Sequence, residues 1–330
     1  MTSNVTCPPV STATLSVAVE QFIEAKQAQR LSKNTLIEYN RTLRYFKEFF
    51  DNEDPLMSAI TQVDIRKFMN SLDHLSKKSL LNVHIGLSSL WHWASDEGLC
   101  TDNIMHKVAR PRPEIRAVQP FSHEEVDRLF NGICFSVEYS RPGKRSCSSR
   151  LPYYYRTRAI LLVLLDNGIR ENELCHIRAK DLDGTTIKVF GKGAKERIVP
   201  ISDCTLLAIQ EYIQQERPGD PPQNEEFVFI TKSGKPIMGD QLYHMVLKIG
   251  LRTGVKAYPH KFRHTFAINF LRNGGNIYAL QAILGHASLE MVKRYLAIAN
   301  ADIEAVHRSA SVVNCWHLGA ISADAPVSVL

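Results

Sequence analysis

From Leu15 onward, apolar positions recur at helical spacing: Leu15, Val19, Phe22 and Ile23 share one face, and after a polar break Leu36, Tyr39, Leu43, Phe46 and Phe50 share another. Ser32 is placed to cap the second of these helices. Thr61 precedes a third with Ile65 and Phe68, and Ser76 precedes a longer one with Leu80, Val83, Leu87, Leu90, Trp91 and Ala94 that Gly98 ends. The pattern predicts four helices and no convincing strand in this stretch. Aromatic stripes at such spacing serve packing far more often than ligand binding, so these are assigned to a core. Residues 1–13 lack periodicity and read as a flexible tail.

Pro111, Pro113 and Pro120 forbid a regular helix between Lys107 and Pro120 and mark a boundary. Beyond it Ser122 opens a helix through Leu129, and the apolar run Ala159 to Leu165 predicts a buried helix ending near Gly168. Thr186 to Phe190 and Arg197 to Ile201 cluster β-formers around a glycine-rich turn and predict a hairpin. Phe227 to Thr231 is expected to add a third strand. Gln241 to about His307 reads as helical, with stops at Gly250, Gly274 and Gly285. The expected fold is mainly α with a small β-sheet. A helical domain over 14–109 and a basic linker over 110–120 precede an α+β domain over 121–308 and a tail over 309–330.

Composition narrows this little. The 330 residues, 44% hydrophobic, suffice for two cores. No apolar run reaches the roughly 18 residues of a membrane helix. Met1 to Thr14 carries no basic patch leading into an apolar core, so neither membrane nor export is expected, and the protein is placed in the cytoplasm. The seven cysteines are scattered without a Cys-x-x-Cys pair and read as reduced thiols. A net charge of +6 suits a polyanion without requiring one. Its distribution says more: Arg141, Lys144, Arg145, Arg150, Arg156 and Arg158 fall between Glu138 and Asp166 without an intervening acid, and Lys107, Arg110, Arg112 and Arg116 face only Glu114. Both stretches have the charge to neutralise phosphates, although a solvated basic loop has the same composition.

Six polar residues of the second domain stand out as a set: Arg170, Lys192, His260, Arg263, His286 and Tyr295. Each alone has an ordinary explanation. Arg170 follows a glycine stop, where arginines usually cap or face solvent, and Lys192 lies in a turn. His260 and Arg263 sit three apart on one helical face, His286 adjoins a glycine break, and a tyrosine on an amphipathic helix is normally half-buried core.

Together they resemble the tyrosine recombinase family, whose members include lambda integrase, Cre and the Xer recombinases. Arg170 with Glu173-Leu174 is similar to the family's first arginine box. Gly191-Lys192-Gly193-Ala194-Lys195-Glu196-Arg197 is similar to the Xer form of the hairpin lysine. His260 and Arg263, continued by His264-Thr265-Phe266-Ala267, resemble the His-x-x-Arg box, while Leu284-Gly285-His286 and Tyr295 stand at the family distance. The first domain resembles the family's helical, SAM-like core-binding domain, notably Ser32-Lys33-Asn34-Thr35 leading to Tyr39. Asn172 departs from the small residue common at its position, and the basic stretch around Arg141 to Arg158 is longer than in compact Xer-like members.

The resemblance implies a DNA strand transferase acting through a phosphotyrosine at Tyr295. Transesterification gathers negative charge on the non-bridging oxygens, which Arg170 and Arg263 would meet with permanently charged forks while His286 adds a hydrogen bond. A neutral phenol attacks poorly, so a base must take its proton or the arginines must favour the phenolate; His260 is the expected base. Lys192 is the expected acid for the departing 5′ oxygen, with Lys195 in reserve. His264 is assigned a structural part. No metal and no small-molecule cofactor are expected. The implied partner is double-stranded DNA with inverted half-sites, bound by a homotetramer built as a dimer of dimers in a prokaryotic cytoplasm at the nucleoid. Lys33, Lys77, Lys78, Arg110, Arg112, Lys195 and Arg197 are the expected DNA contacts. The tail, with Ile303, Val306, Val312 and Trp316, is expected to dock on a neighbouring subunit. Two other classes use similar residues: a type IB topoisomerase that relaxes DNA without exchanging partners, and a catalytically silent DNA-binding regulator.

Overall fold

In the computed structural model, which describes residues 12–51, 53–113, 119–134, 151–191, 196–220, 222–223, 226–286, 288–299 and 311–315, the four early helices are α1 (Leu15–Ala28), α2 (Lys33–Glu48), α3 (Gln62–Ser71) and α4 (Lys77–Asp96). Local chemistry starts three of them. Ser32 and Ser76 accept from the backbone N–H groups of Thr35 and Ser79, and Thr61 exchanges hydrogen bonds with Asp64. Their apolar faces meet in a core of Leu15, Phe22, Leu43, Phe46, Phe68, Leu87 and Trp91. There the Phe46 ring makes edge contacts with Phe50, Phe68 and Trp91. Buried His84 donates through Nε2 to the Val108 carbonyl at 3.3 Å, and Arg66 Nη2 donates to the Lys107 carbonyl at 2.8 Å. The start of the basic segment is thereby held on α3 and α4.

These helices belong to a unit spanning Met1–Arg116, and a second unit spans Ala117–Leu330. The second contains α5 (His123–Asn131), α6 (Tyr154–Asn167), α7 (Glu171–Cys175), β1 (Leu182–Asp183), β2 (Thr186–Phe190), β3 (Glu196–Pro200), α8 (Asp203–Gln215), α9 (Gly239–Thr253), α10 (Pro259–Arg272), α11 (Ile277–Leu284) and α12 (Glu290–Ala299). Mainly helical with a small sheet, it has the expected fold class. Helix α6 buries Ala159, Ile160, Leu161, Val163 and Leu164, residues pointing in every direction, because it packs against α8 and α10 together.

The antiparallel sheet has the order β1-β2-β3, with Ile187 opposite Val199 on its buried face. The expected hairpin is present. The third strand is not where the pattern put it: Leu182–Asp183 pairs with β2, whereas 227–230 makes only single bridges to Arg178 and Pro236. Val228, Phe229 and Ile230 are all buried consecutively, without the alternation of a strand with one open face. Their backbone is satisfied piecemeal: Ile230 N–H donates to the Tyr212 hydroxyl, Val228 N–H to the Ile177 carbonyl.

Two of the basic residues counted toward phosphate binding are engaged within the unit. Arg156 donates to the Ile230 carbonyl at 2.9 Å and lies over the Tyr153 ring, and Arg158 pairs with Glu211. Arg141, Lys144, Arg145 and Arg150 lie outside the described residues, as do Ile303, Val306 and Trp316. Val312 is exposed.

Candidate functional site

The site forms where the ends of α6 and α11 and the start of α7 meet α10 and α12. Gly168 closes α6 at φ +61°, a conformation open to glycine but strained for an L side chain, and a Cβ there would stand 2.7 Å from the Phe266 ring. The chain then extends through Ile169 to Arg170, which precedes α7. Glu173, one turn on, accepts the Arg170 backbone N–H at 2.8 Å and its Nη1 at 2.8 Å. Among the described residues that leaves most of the Arg170 fork uncommitted, on a side chain 38% exposed.

Arg263 is 1% exposed in the middle of α10. Its Nη1 donates to the Gly168 carbonyl at 2.8 Å, and Nη2 donates to the Leu284 carbonyl at 2.7 Å and to His286 Nε2 at 2.8 Å. One guanidinium therefore ties the end of α6 to the end of α11. Burial, helped by the neighbouring Arg170 charge, lowers its pKa to about 10, so it stays protonated at neutral pH. An arginine cannot accept, hence His286 Nε2 does, which places the proton of the neutral imidazole on Nδ1.

Tyr295 on α12 is fully buried among Leu271, Leu280, Leu284 and Val292. It is buried against the cluster, not away from it. Its ring lies parallel to His286, centroids 6.3 Å apart, and 5.5 Å from His264, whose ring in turn meets His260 at 4.5 Å. His260 is exposed and lines, with Arg170, Glu173, Tyr258, Arg263 and Gly191, a cleft of about 960 Å³. Asn172, the residue that departs from the family pattern, also lines it; its Oδ1 stands 2.6 Å from where a Cβ of Gly239 would be, so the larger side chain fits because α9 begins with glycine.

Residues 145–302 match the phage integrase family, and residues 19–98 match the phage integrase N-terminal SAM-like domain. The chain carries both domains of phage integrases. It is 27% identical over 291 residues to tyrosine recombinase XerC of Staphylococcus saprophyticus, a match covering 86% of this chain and 93% of that one. To XerC of Staphylococcus aureus strain RF122 it is 29% identical over 300 residues, covering 88% and 95%. Among solved structures, a lambda integrase(75–356) dimer bound to a COC′ core site shares the fold with a TM-score of 0.68 at 15% identity, over 84% of this chain and 97% of that one. XerH bound to a palindromic difH substrate does so with a TM-score of 0.65 at 22% identity, over 91% and 85%.

Of the six residues singled out, five, Arg170, His260, Arg263, His286 and Tyr295, converge on or beside the cleft. Lys192 lies outside the described residues, as does Lys195. Lys33, Lys77, Lys78, Arg110 and Arg112 are exposed on the first unit, open to solvent as a DNA contact requires.

Arg197 is a correction. Expected to reach DNA, it turns inward at 12% exposure: Nη1 and Nη2 donate to the two Glu173 oxygens at 2.9 and 2.7 Å, and Nε donates to the Ile283 carbonyl at 2.7 Å. Glu173 is legible in the sequence only as part of a motif. Its spacing of three from Arg170 signals a helix-start pair, but nothing local announces that it also holds an arginine from β3. Burial would push its carboxyl up, yet Arg197 and the Arg170 backbone and side chain outweigh this and hold it below the ordinary carboxylate value. His264, assigned a structural part from the sequence, touches both His260 and Tyr295, a placement that required the tertiary fold.

Proposed function

We propose that the chain is a site-specific DNA recombinase in which the Tyr295 hydroxyl attacks a backbone phosphodiester, leaving a 3′-phosphotyrosine and a free 5′ hydroxyl. The observation that carries this is the convergence on Arg263, which holds the Gly168 and Leu284 carbonyls and His286 at 2.7–2.8 Å beside the Tyr295 ring. Arg170 offers the open fork for the non-bridging oxygens. Arg263 adds a fixed positive charge in a site where burial strengthens it. His286 must exchange its bond with Arg263 to donate to the phosphate from Nε2. His260, exposed on the cleft wall, is the base for the phenolic proton, and Lys192, the residue after cleft-lining Gly191, is the acid for the 5′ oxygen, with Lys195 in reserve.

The fully buried phenol implies that DNA binding shifts α12, so the nucleophile is sheltered until substrate arrives. One phosphate ester replaces another of similar energy, so a 5′ hydroxyl from a second strand reverses the step and completes the exchange. The charge a divalent ion would bring is already present in two guanidinium groups, and Glu173, the carboxylate among them, is occupied by two arginines. We further assign residues 14–109 to core binding and 121–308 to catalysis, joined by the linker 110–120. Duplex DNA with inverted half-sites and a tetramer of this chain complete the picture, in a prokaryotic cytoplasm at the nucleoid.

The test is covalent capture. Native protein incubated with supercoiled plasmid carrying the DNA that flanks its gene should give a protein–DNA adduct that survives denaturant, and Tyr295→Phe should give none. Equal adduct from both proteins refutes the assignment of the nucleophile. Relaxation of a plasmid without the captured site, at the same rate, would instead make the protein a topoisomerase, and binding without any adduct would make it a regulator.

A further inference from the structure

Arg197 belongs neither to the six residues above nor, given its orientation, to the surface that meets DNA. It nonetheless touches two arms of the site. Through both Nη atoms it grips Glu173, whose Oε1 also receives Arg170 Nη1 at 2.8 Å. Through Nε it holds the Ile283 carbonyl, one residue before the Leu284 carbonyl that Arg263 uses and three before His286. A Cβ on Gly285, which sits at φ +63°, would stand 3.0 Å from Arg197 Nη1 and 3.1 Å from its Cζ, so this loop rests on the guanidinium itself. We infer that Arg197 is a positioning residue for the phosphate clamp: it sets Arg170, through Glu173, and His286, through the 283–286 loop, at one mutual spacing.

The chemistry selects arginine for this place. Three donors in a rigid plane are needed to span two carboxylate oxygens and a carbonyl; a lysine ammonium offers a point charge that cannot keep the same angles. Arg197 is the second residue of β3 and lies opposite Val189 of β2, which ends at Phe190 beside Gly191, so its anchor lies where the hairpin joins the site. Loss of the anchor would let Arg170 and the His286 loop drift independently. A misplacement of about 1 Å costs on the order of 10²-fold in rate even where every reacting group remains.

This rests on the recombinase reading, and the experiment separates the two. Nicked duplexes carrying the site recovered by covalent capture would be made in three forms: an ordinary scissile phosphate, a methylphosphonate lacking one charged non-bridging oxygen, and a 5′-bridging phosphorothiolate whose sulfur departs without a proton. Single-turnover adduct formation would be followed for native protein, Arg197→Ala and Arg197→Lys, with DNA affinity measured in parallel. On phosphate, both variants should form adduct about 10²-fold more slowly at unchanged affinity. On methylphosphonate, where less charge needs clamping, the deficit should shrink to under about tenfold, and on phosphorothiolate it should persist. Should Arg197→Ala not fold, Arg197→Lys, which keeps charge and stem, carries the same comparison.

Rescue by the phosphorothiolate would assign Arg197 to leaving-group protonation and overturn the inference. So would an unchanged rate, an affinity loss matching the rate loss, or equal deficits on all three substrates, the mark of general damage. Failure of native protein to form adduct on any substrate would overturn the recombinase reading itself, and the inference with it.

Discussion

Glu173→Gln keeps the shape of the side chain and removes only its charge, which makes it the sharpest probe of how the site is held. In the native protein the carboxylate is 4% exposed and receives Arg197 at 2.7 and 2.9 Å and Arg170 Nη1 at 2.8 Å. Removing one partner from a buried ion pair typically costs about 3–5 kcal/mol, because the remaining charge is left uncompensated. Two features reduce that here. Arg170 is 38% exposed, so solvent covers most of its loss, and Arg197 keeps the Ile283 carbonyl. We therefore expect about 3 kcal/mol, a fall in Tm of roughly 6–12 °C for a unit of this size.

The pH dependence is a second, independent check. The folded-state pKa of Glu173 is depressed below its ordinary 4.5. Its contribution is therefore fully present above that unfolded value and is lost as pH falls through the lower folded value. Urea unfolding of both proteins should show a constant gap between pH 6 and 8, narrowing below about 4.5 as the unfolded chain takes up the proton and closing as pH falls through the lower folded value. A gap under about 1 kcal/mol at pH 7, or one that stays the same to the lowest pH at which both fold, would show that the charge does not hold the arginines together.

Other outcomes follow from single features. Gly168→Ala places a side chain at φ +61° and 2.7 Å from Phe266, so it should destabilise by about 2–4 kcal/mol in urea and slow adduct formation more than it weakens DNA binding, since Gly168 anchors Arg263. Cys175 is buried and its thiol pushed up to about 12, whereas Cys204 is exposed; iodoacetamide at pH 8 should label Cys204 readily and Cys175 only on unfolding, as read by mass spectrometry. Neutralising Lys33 and Lys78 together should flatten the slope of log affinity against log salt by about 0.9 for each phosphate that is no longer neutralised, with little effect on cleavage at saturating DNA. An unchanged slope would remove them from the interface.

Much of the fold was legible because local rules govern it. Ser32, Thr61 and Ser76 announce their helices through the backbone N–H groups they satisfy, and the alternation of Ile187 and Val189 announces β2. Phe227 to Thr231 misled because β-forming residues describe a buried, extended backbone without saying whether another strand lies beside it. The site was legible as residue types in order, since Arg170, His260, Arg263, His286 and Tyr295 each carry a distinct chemistry.

Spacing along a chain does not record which way a guanidinium turns. Arg197 and Arg170 look alike in sequence, yet one is spent inside on Glu173 and Ile283 while the other keeps an open fork toward the cleft. The linear order of side chains determined the helices, the hairpin and the inventory of reactive groups, because these depend on neighbours a few residues apart. The packing of α6, α7, α10 and α11 decided which charges face inward, because a buried carboxylate draws its cations from whatever segments the fold brings near.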